Sequence, residues 1–281
     1  MKNFALLLAL LLPRQEAVRV EKDVEYLGPD AREKMDLYLP TSAPPARGFP
    51  AVLIIHGGGW TGGDKGAARE QNIGTTLAAA GYVGASVNYI LAEKGASSAK
   101  TLAQVWPRNL HECKTAVRFL RKNAAKYHID PDHVGVIGGS AGGHLAAMVA
   151  LTAPGDGLDP KEPWGELSCR VQAAIPMYGV HDLVRRAKDA TPDDLDLLRK
   201  ASPVTYATRD DPPTLILHGT KDTVVPLEQS EFLAEALKKA GVPHDLVRVE
   251  GAPHTFHLQP KEQDLRPLVL GFLDKHLKPR E

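Results

Sequence analysis

The 281-residue chain has almost no cysteine, no surplus of charge of either sign and no apolar run long enough to cross a bilayer. Its two cysteines, Cys113 and Cys169, allow one bridge at most in an oxidising compartment, and two buried free thiols are the alternative. Lys plus Arg and Asp plus Glu each total 34, so the formal net charge is zero and nothing draws the chain to nucleic acid or an anionic membrane. The partner implied is a small or neutral molecule. The longest apolar run is the nine residues from Phe4 to Leu12, whereas a membrane-spanning helix needs roughly 18 or more. With Lys2 ahead of it, that run has the size of an export signal, so residues 1–17 are expected to be a signal peptide and the protein secreted or periplasmic. Gln15-Glu16-Ala17 is a poor cleavage site, which keeps open a hydrophobic first element of the mature fold and a cytoplasmic protein. Internal repeats, heptads and low-complexity tracts are also missing.

What is present is a globular composition, 43% hydrophobic and 24% charged, which supports one sizeable core and argues against disorder. From residue 50 onward short β-branched runs alternate with longer amphipathic stretches, the pattern of βαβ units and a mostly parallel sheet. Strands are expected at 51–55, 82–88, 133–138, 171–177, 214–218 and 244–249, and helices near 66–80, 107–127, 141–151, 227–240 and 261–277. Residues 18–39 read as antiparallel edge strands, and the proline-rich stretch 41–50 as a connector. The expectation is a single α/β domain over 18–281. The polar segment 178–212 breaks the rhythm and reads either as a small lid beyond the strand ends or as a plain surface helix.

Three segments carry chemistry. The strand at 133–138 runs into Gly138-Gly139-Ser140-Ala141-Gly142-Gly143 and then an apolar helix. A serine on so sharp a turn is held in a strained conformation with its hydroxyl above the sheet, and small neighbours two residues away permit the crowding. After the strand AVLII comes His56-Gly57-Gly58-Gly59-Trp60, whose unobstructed amides can meet a developing oxyanion together with the amide of Ala141. His56 is expected to fix this loop by hydrogen bonding rather than to act as a base. Gly57, Gly59 and Gly62 also fit the dinucleotide fingerprint, but no acidic residue follows at a strand end about 20 residues on, and no cofactor is expected. The third segment is the strand Leu215-Ile216-Leu217, which leads to Asp222, followed after a further strand by His254 on a loop. The chain order Ser140, Asp222, His254 is the one expected of a nucleophile-elbow fold.

Competitors remain for each partner. His257 can replace His254, although Gly251 and Pro253 shape the turn before His254. Asp182 can replace Asp222, although a turn aspartate is the plainer reading. Zinc on His254 and His257 lacks a third ligand. By helical spacing His144 points away from the elbow and packs on a neighbouring helix. Trp60, Tyr89, Trp164 and Tyr178 either line a pocket or serve ordinary packing.

In HGGGWTGGDK, IGGSAGGHLAAMVAL, ASPVTYATRDDPPTLILHGTKDTVVP and GAPHTF the chain resembles α/β-hydrolase esterases related to hormone-sensitive lipase and to bacterial feruloyl and acetylxylan esterases. The likeness covers most of residues 50–257. It implies a nucleophile, acid and base at Ser140, Asp222 and His254, oxyanion donors at Gly58, Gly59 and Ala141, and a carboxylic ester as substrate, small or carbohydrate-linked. One departure is Gly139, where the lipase-like branch often has an acidic residue; it leans the likeness toward the feruloyl and acetylxylan side. A related formamidase shares an HGG-x-W loop, so amide hydrolysis is an alternative. A binding protein that has lost its chemistry is another.

Overall fold

The computed structural model describes residues 18–93, 97–187 and 190–278; the expected signal segment at 1–17 lies outside the described residues. Among the described residues eight strands form one sheet: β1 (Arg19–Val24), β2 (Met35–Leu39), β3 (Phe49–Ile55), β4 (Val83–Val87), β5 (Ile129–Gly139), β6 (Ala173–Met177), β7 (Thr214–Gly219) and β8 (His244–Val249). Their order is β1-β2-β4-β3-β5-β6-β7-β8. β2 runs antiparallel to both its neighbours and every later pair is parallel, so the expected mostly parallel sheet is found.

Strands that read as unbroken apolar runs are buried on both faces, because helices cover each side. Along β3, Leu53 and Ile55 enter a core shared with α3 (Arg108–Lys122), α5 (Ala141–Leu151) and α8 (Glu228–Ala240). Val52 and Ile54 face the opposite core, with α1 (Ala68–Ala79) and α9 (Arg266–Leu277). This is the two-residue alternation of a pleated strand between two layers. All of α5 is buried, which explains why its sequence is apolar on every side.

Some expectations need correction. β2 is not an edge strand, since β1 and β4 flank it, and all five of its residues are buried: Met35, Leu37 and Leu39 enter the first core and Tyr38 lies against Gly74 of α1. The helix expected at 107–127 breaks at Asn123, whose side-chain amide donates to the Phe119 carbonyl at 2.9 Å, and resumes as the short α4 (Ala124–Tyr127). The last helix starts at Arg266, not 261, since Pro267 fits only a first turn. A short α2 (Ser98–Leu102) had no periodic signal. Within 178–212 lie α6 (Leu183–Arg186) and α7 (Pro192–Lys200), and Lys100 of α2 pairs with Asp194 of α7 at 3.6 Å. No helix among the described residues is long and apolar enough to cross a membrane.

Candidate active site

Ser140 sits between the end of β5 and the start of α5 with φ 57° and ψ −120°, a conformation that costs a non-glycine residue on the order of 1–3 kcal/mol. The turn is tight enough that a Cβ on Gly142 would strike the carbonyl oxygens of Ile55 and His56, and one on Gly138 would strike Gly142 itself. That is the physical content of the two flanking glycines. The strain lifts the serine hydroxyl to 3.0 Å from His254 Nε2, and His254 Nδ1 lies 2.6 Å from Asp222 Oδ2. A carboxylate only accepts, so Nδ1 carries the ring hydrogen and donates it to Asp222, and the bare Nε2 accepts from Ser140. Asp222 Oδ1 is occupied by the amides of Val224 (2.8 Å) and Val225 (2.9 Å).

The structure therefore brings Ser140, His254 and Asp222 together and leaves the competitors elsewhere. His257 is exposed, with Nδ1 accepting from the Gln259 amide at 2.9 Å. Asp182 caps α6, accepting from the Arg185 amide at 2.9 Å.

Ser140 and His254 open into a cavity of about 710 Å³, which Gly58, Gly59 and Ala141 also line. Gly58 and Gly59 have positive φ, and Ala141, as the first residue of α5, has no carbonyl one turn back for its amide. His56 lies behind this loop, its Nδ1 donating to the Gly57 carbonyl at 2.7 Å and its ring stacked on Tyr89 at 4.4 Å. Burial pushes its imidazole down, against the pull of the Gly57 carbonyl. The loop closes at Lys65, whose Nζ reaches Asp36 of β2 at 2.7 Å and Asp23 of β1 at 2.8 Å. Trp60 donates to His144 Nδ1 at 3.3 Å, and His144 donates through Nε2 to the Ala201 carbonyl at 2.7 Å. His144 is thus structural, and it ties the glycine loop to Ala201, the C-cap of α7.

Sequence reading missed part of the cavity wall. Ser97 and Ser98 at the start of α2 line it, as does Arg186 of α6, so the 178–212 segment does reach the site. Arg69 of α1 lines it as well, donating to the Tyr178 hydroxyl at 2.7 Å and pairing with the buried Glu70. Burial opposes its charge, but Tyr178 and Glu70 raise the guanidinium above its ordinary value. Tyr178 in turn donates to the Phe256 carbonyl at 2.9 Å and meets the His254 ring edge-on at 5.1 Å. A Cβ at 139 would overlap the Arg69 guanidinium, which is why glycine stands there instead of an acidic residue. The only signal in sequence was that departure itself. Among the other aromatics, Trp60 lines the cavity, Tyr89 backs His56, and Trp164 packs on Phe119 at 6.0 Å. Cys113 and Cys169 are free and buried.

The family model BD-FAE matches residues 35–237, and a second model described as TAP-like protein matches residues 195–281. Esterase LipQ of Mycobacterium tuberculosis is 31% identical over 88% of this chain and 59% of its own length. A probable isoprenylcysteine alpha-carbonyl methylesterase of Oryza sativa is 26% identical over 81% of this chain and 56% of its own. The chain spans about half the length of the curated relatives it matches. Among solved structures, a truncated carbohydrate esterase from gut microbiota superimposes with a TM-score of 0.78 at 25% identity, covering 94% of this chain and 98% of that one. Thermogutta terrifontis esterase 2 with propionate bound gives 0.72 at 29% identity, over 95% and 97%. With eight strands in this order, a serine on a strained turn after β5 and a family match across most of that sheet, the chain is an α/β hydrolase and belongs to the BD-FAE family.

Proposed function

We propose that this protein is a serine hydrolase that cleaves carboxylic esters through an acyl-enzyme. The observation that carries the reading is the unbroken hydrogen-bond path from Ser140 Oγ through the His254 ring to Asp222, at 3.0 and 2.6 Å. Ser140 Oγ attacks the ester carbonyl carbon as His254 Nε2 takes its proton, and the amides of Gly58, Gly59 and Ala141 receive the negative oxygen. The imidazolium, held in orientation by Asp222, then protonates the departing alcohol. Water repeats the sequence in reverse on the acyl-serine, releasing the acid and restoring Ser140. A cavity of about 710 Å³ takes an ester of small to moderate size. Similarity to a structure described as a carbohydrate esterase favours acetyl or feruloyl groups carried on sugar, and the apolar run at Phe4 to Leu12 favours export to where such esters lie.

Replacing Ser140 by Ala should abolish hydrolysis of p-nitrophenyl acetate and labelling by a fluorophosphonate while leaving the melting temperature close to the parent's. Turnover at the parental rate in that variant ends the reading. Acetylated xylan, methyl ferulate and nitrophenyl esters of increasing length, run side by side, test the substrate assignment.

A further inference from the structure

His218, on β7, lies directly behind the carboxylate of Asp222, and the side chains of both are fully shielded from solvent. Its Nε2 is 2.9 Å from the Val225 carbonyl oxygen and 3.2 Å from Asp222 Oδ2, while Nδ1 is 2.7 Å from the Ser230 hydroxyl. A carbonyl only accepts, so Nε2 carries the hydrogen and donates it to Val225, which leaves that N–H edge of the ring in polar contact with Asp222 Oδ2. Nδ1 is then bare and accepts from Ser230, itself buried in the first turn of α8. Burial pushes the His218 imidazole below its ordinary range, against the Val225 carbonyl and Asp222, so the ring is neutral and this tautomer is the one its neighbours dictate. The adjacent Gln229 holds the other side of the same corner: its Oε1 accepts from the amides of His181 and Asp182, each at 2.8 Å. The start of α8 thus sets the ends of β6 and β7 relative to each other.

We infer that His218, locked by Ser230, is a positioning residue for Asp222. The inference rests on the triad reading above. Asp222 Oδ1 is fixed by the amides of Val224 and Val225, and those two bonds alone let the carboxylate tilt about its own axis. The N–H edge of His218 against Oδ2 removes that freedom and leaves the oxygen facing His254. With Oδ2 so held, its bond from His254 Nδ1 keeps the ring in the orientation in which Nε2 meets Ser140. The full path is then Ser230, His218, Asp222, His254, Ser140, and it ties the nucleophile after β5 to the first turn of α8.

Three variants separate this role from plain core packing. His218→Leu keeps a buried side chain and removes the ring N–H; kcat on p-nitrophenyl acetate should fall roughly tenfold, with KM within about twofold, since a polar contact to a charged group is being lost. His218→Gln keeps an N–H near the Nε2 position and should recover most of kcat. Ser230→Ala loosens the ring by removing its Nδ1 partner and should give a smaller fall. A His218→Leu protein that folds and keeps parental kcat overturns the inference, and so does His218→Gln as slow as His218→Leu. Should His218→Leu not fold, parental kcat in Ser230→Ala overturns it instead. The deshielded Nδ1 proton of His254 in the NMR spectrum reports the Asp222 contact without any ester, so it separates failure here from failure of the esterase reading. Its resonance should move in Ser230→Ala and in His218→Leu and return in His218→Gln; an unmoved resonance in the variants lacking the donor or its lock counts against His218.

Discussion

At the scale of single residues, the elbow is shaped by what leans on it as much as by its own glycines. Gly139 looks interchangeable in sequence, yet the space beside it is filled by the Arg69 guanidinium and the Tyr178 hydroxyl. The tip of an arginine ordinarily swings aside at little cost. Here it is held by Tyr178 at 2.7 Å and by Glu70, which is 2% exposed and depends on that cation. Gly139→Ala should therefore destabilise the fold by about 1–3 kcal/mol, the usual cost of overpacking, and lower kcat, because Tyr178 also touches the His254 loop through Phe256. The same substitution made in an Arg69→Gln background should cost less, so a double-mutant cycle on urea midpoints returns a coupling energy clearly different from zero. Equal costs in the two backgrounds would show that the guanidinium is not what keeps position 139 small.

At the scale of elements, the loop between β3 and α1 is positioned from its far end. Lys65 reaches back under the sheet to Asp36, which β2 buries, and to Asp23, which is exposed and adds little. Lys65→Met should cost about 3–5 kcal/mol by stranding the Asp36 charge, and should slow ester turnover by loosening the loop that carries Gly58 and Gly59. Pairing it with Asp36→Leu should return most of the lost melting temperature; no recovery would mean that the charge pair is not the anchor. Such devices also mark the limit of legibility in the sequence. Residues Ser140, Gly58, Gly59 and Ala141 could be named beforehand because their signal is local: a buried strand, a glycine turn and, for the elbow, a helix. Asp222 and His254 could be named because each follows an apolar strand and the chain order fits. Arg69, His218 and the wall from α2 could not, since their roles exist only once β3, β5, β6 and β7 lie side by side. β2 was misplaced for the same reason: alternation says that one face is wet, and only the tertiary structure shows that Lys65 satisfies Asp36 there.

At the scale of the whole molecule, four of the eleven histidines lie in the interior. His56, His144, His181 and His218 are all buried beneath the site, and burial pushes each imidazole down, that of His144 to about 4. The unfolded chain takes up protons on these rings near pH 6.5 while the folded protein refuses them, so the unfolded state gains from every proton added. The part of the stability linked to these rings is consequently full above about pH 6.5 and lost as pH falls below it, with the His144 share, about 3 kcal/mol, exhausted near pH 4. Glu112 and Asp211, whose carboxyls burial pushes up, act in the opposite sense but only in the carboxylate range. Urea denaturation at pH 8, 6 and 5 should show a steep fall across the two lower values. In His144→Leu, which forgoes the bonds to Trp60 and Ala201, the protein should be weaker at pH 8 but its stability should decline less on acidification. An equally steep decline in that variant would place the acid sensitivity in other groups, because removing one depressed imidazole must remove its part of the proton linkage.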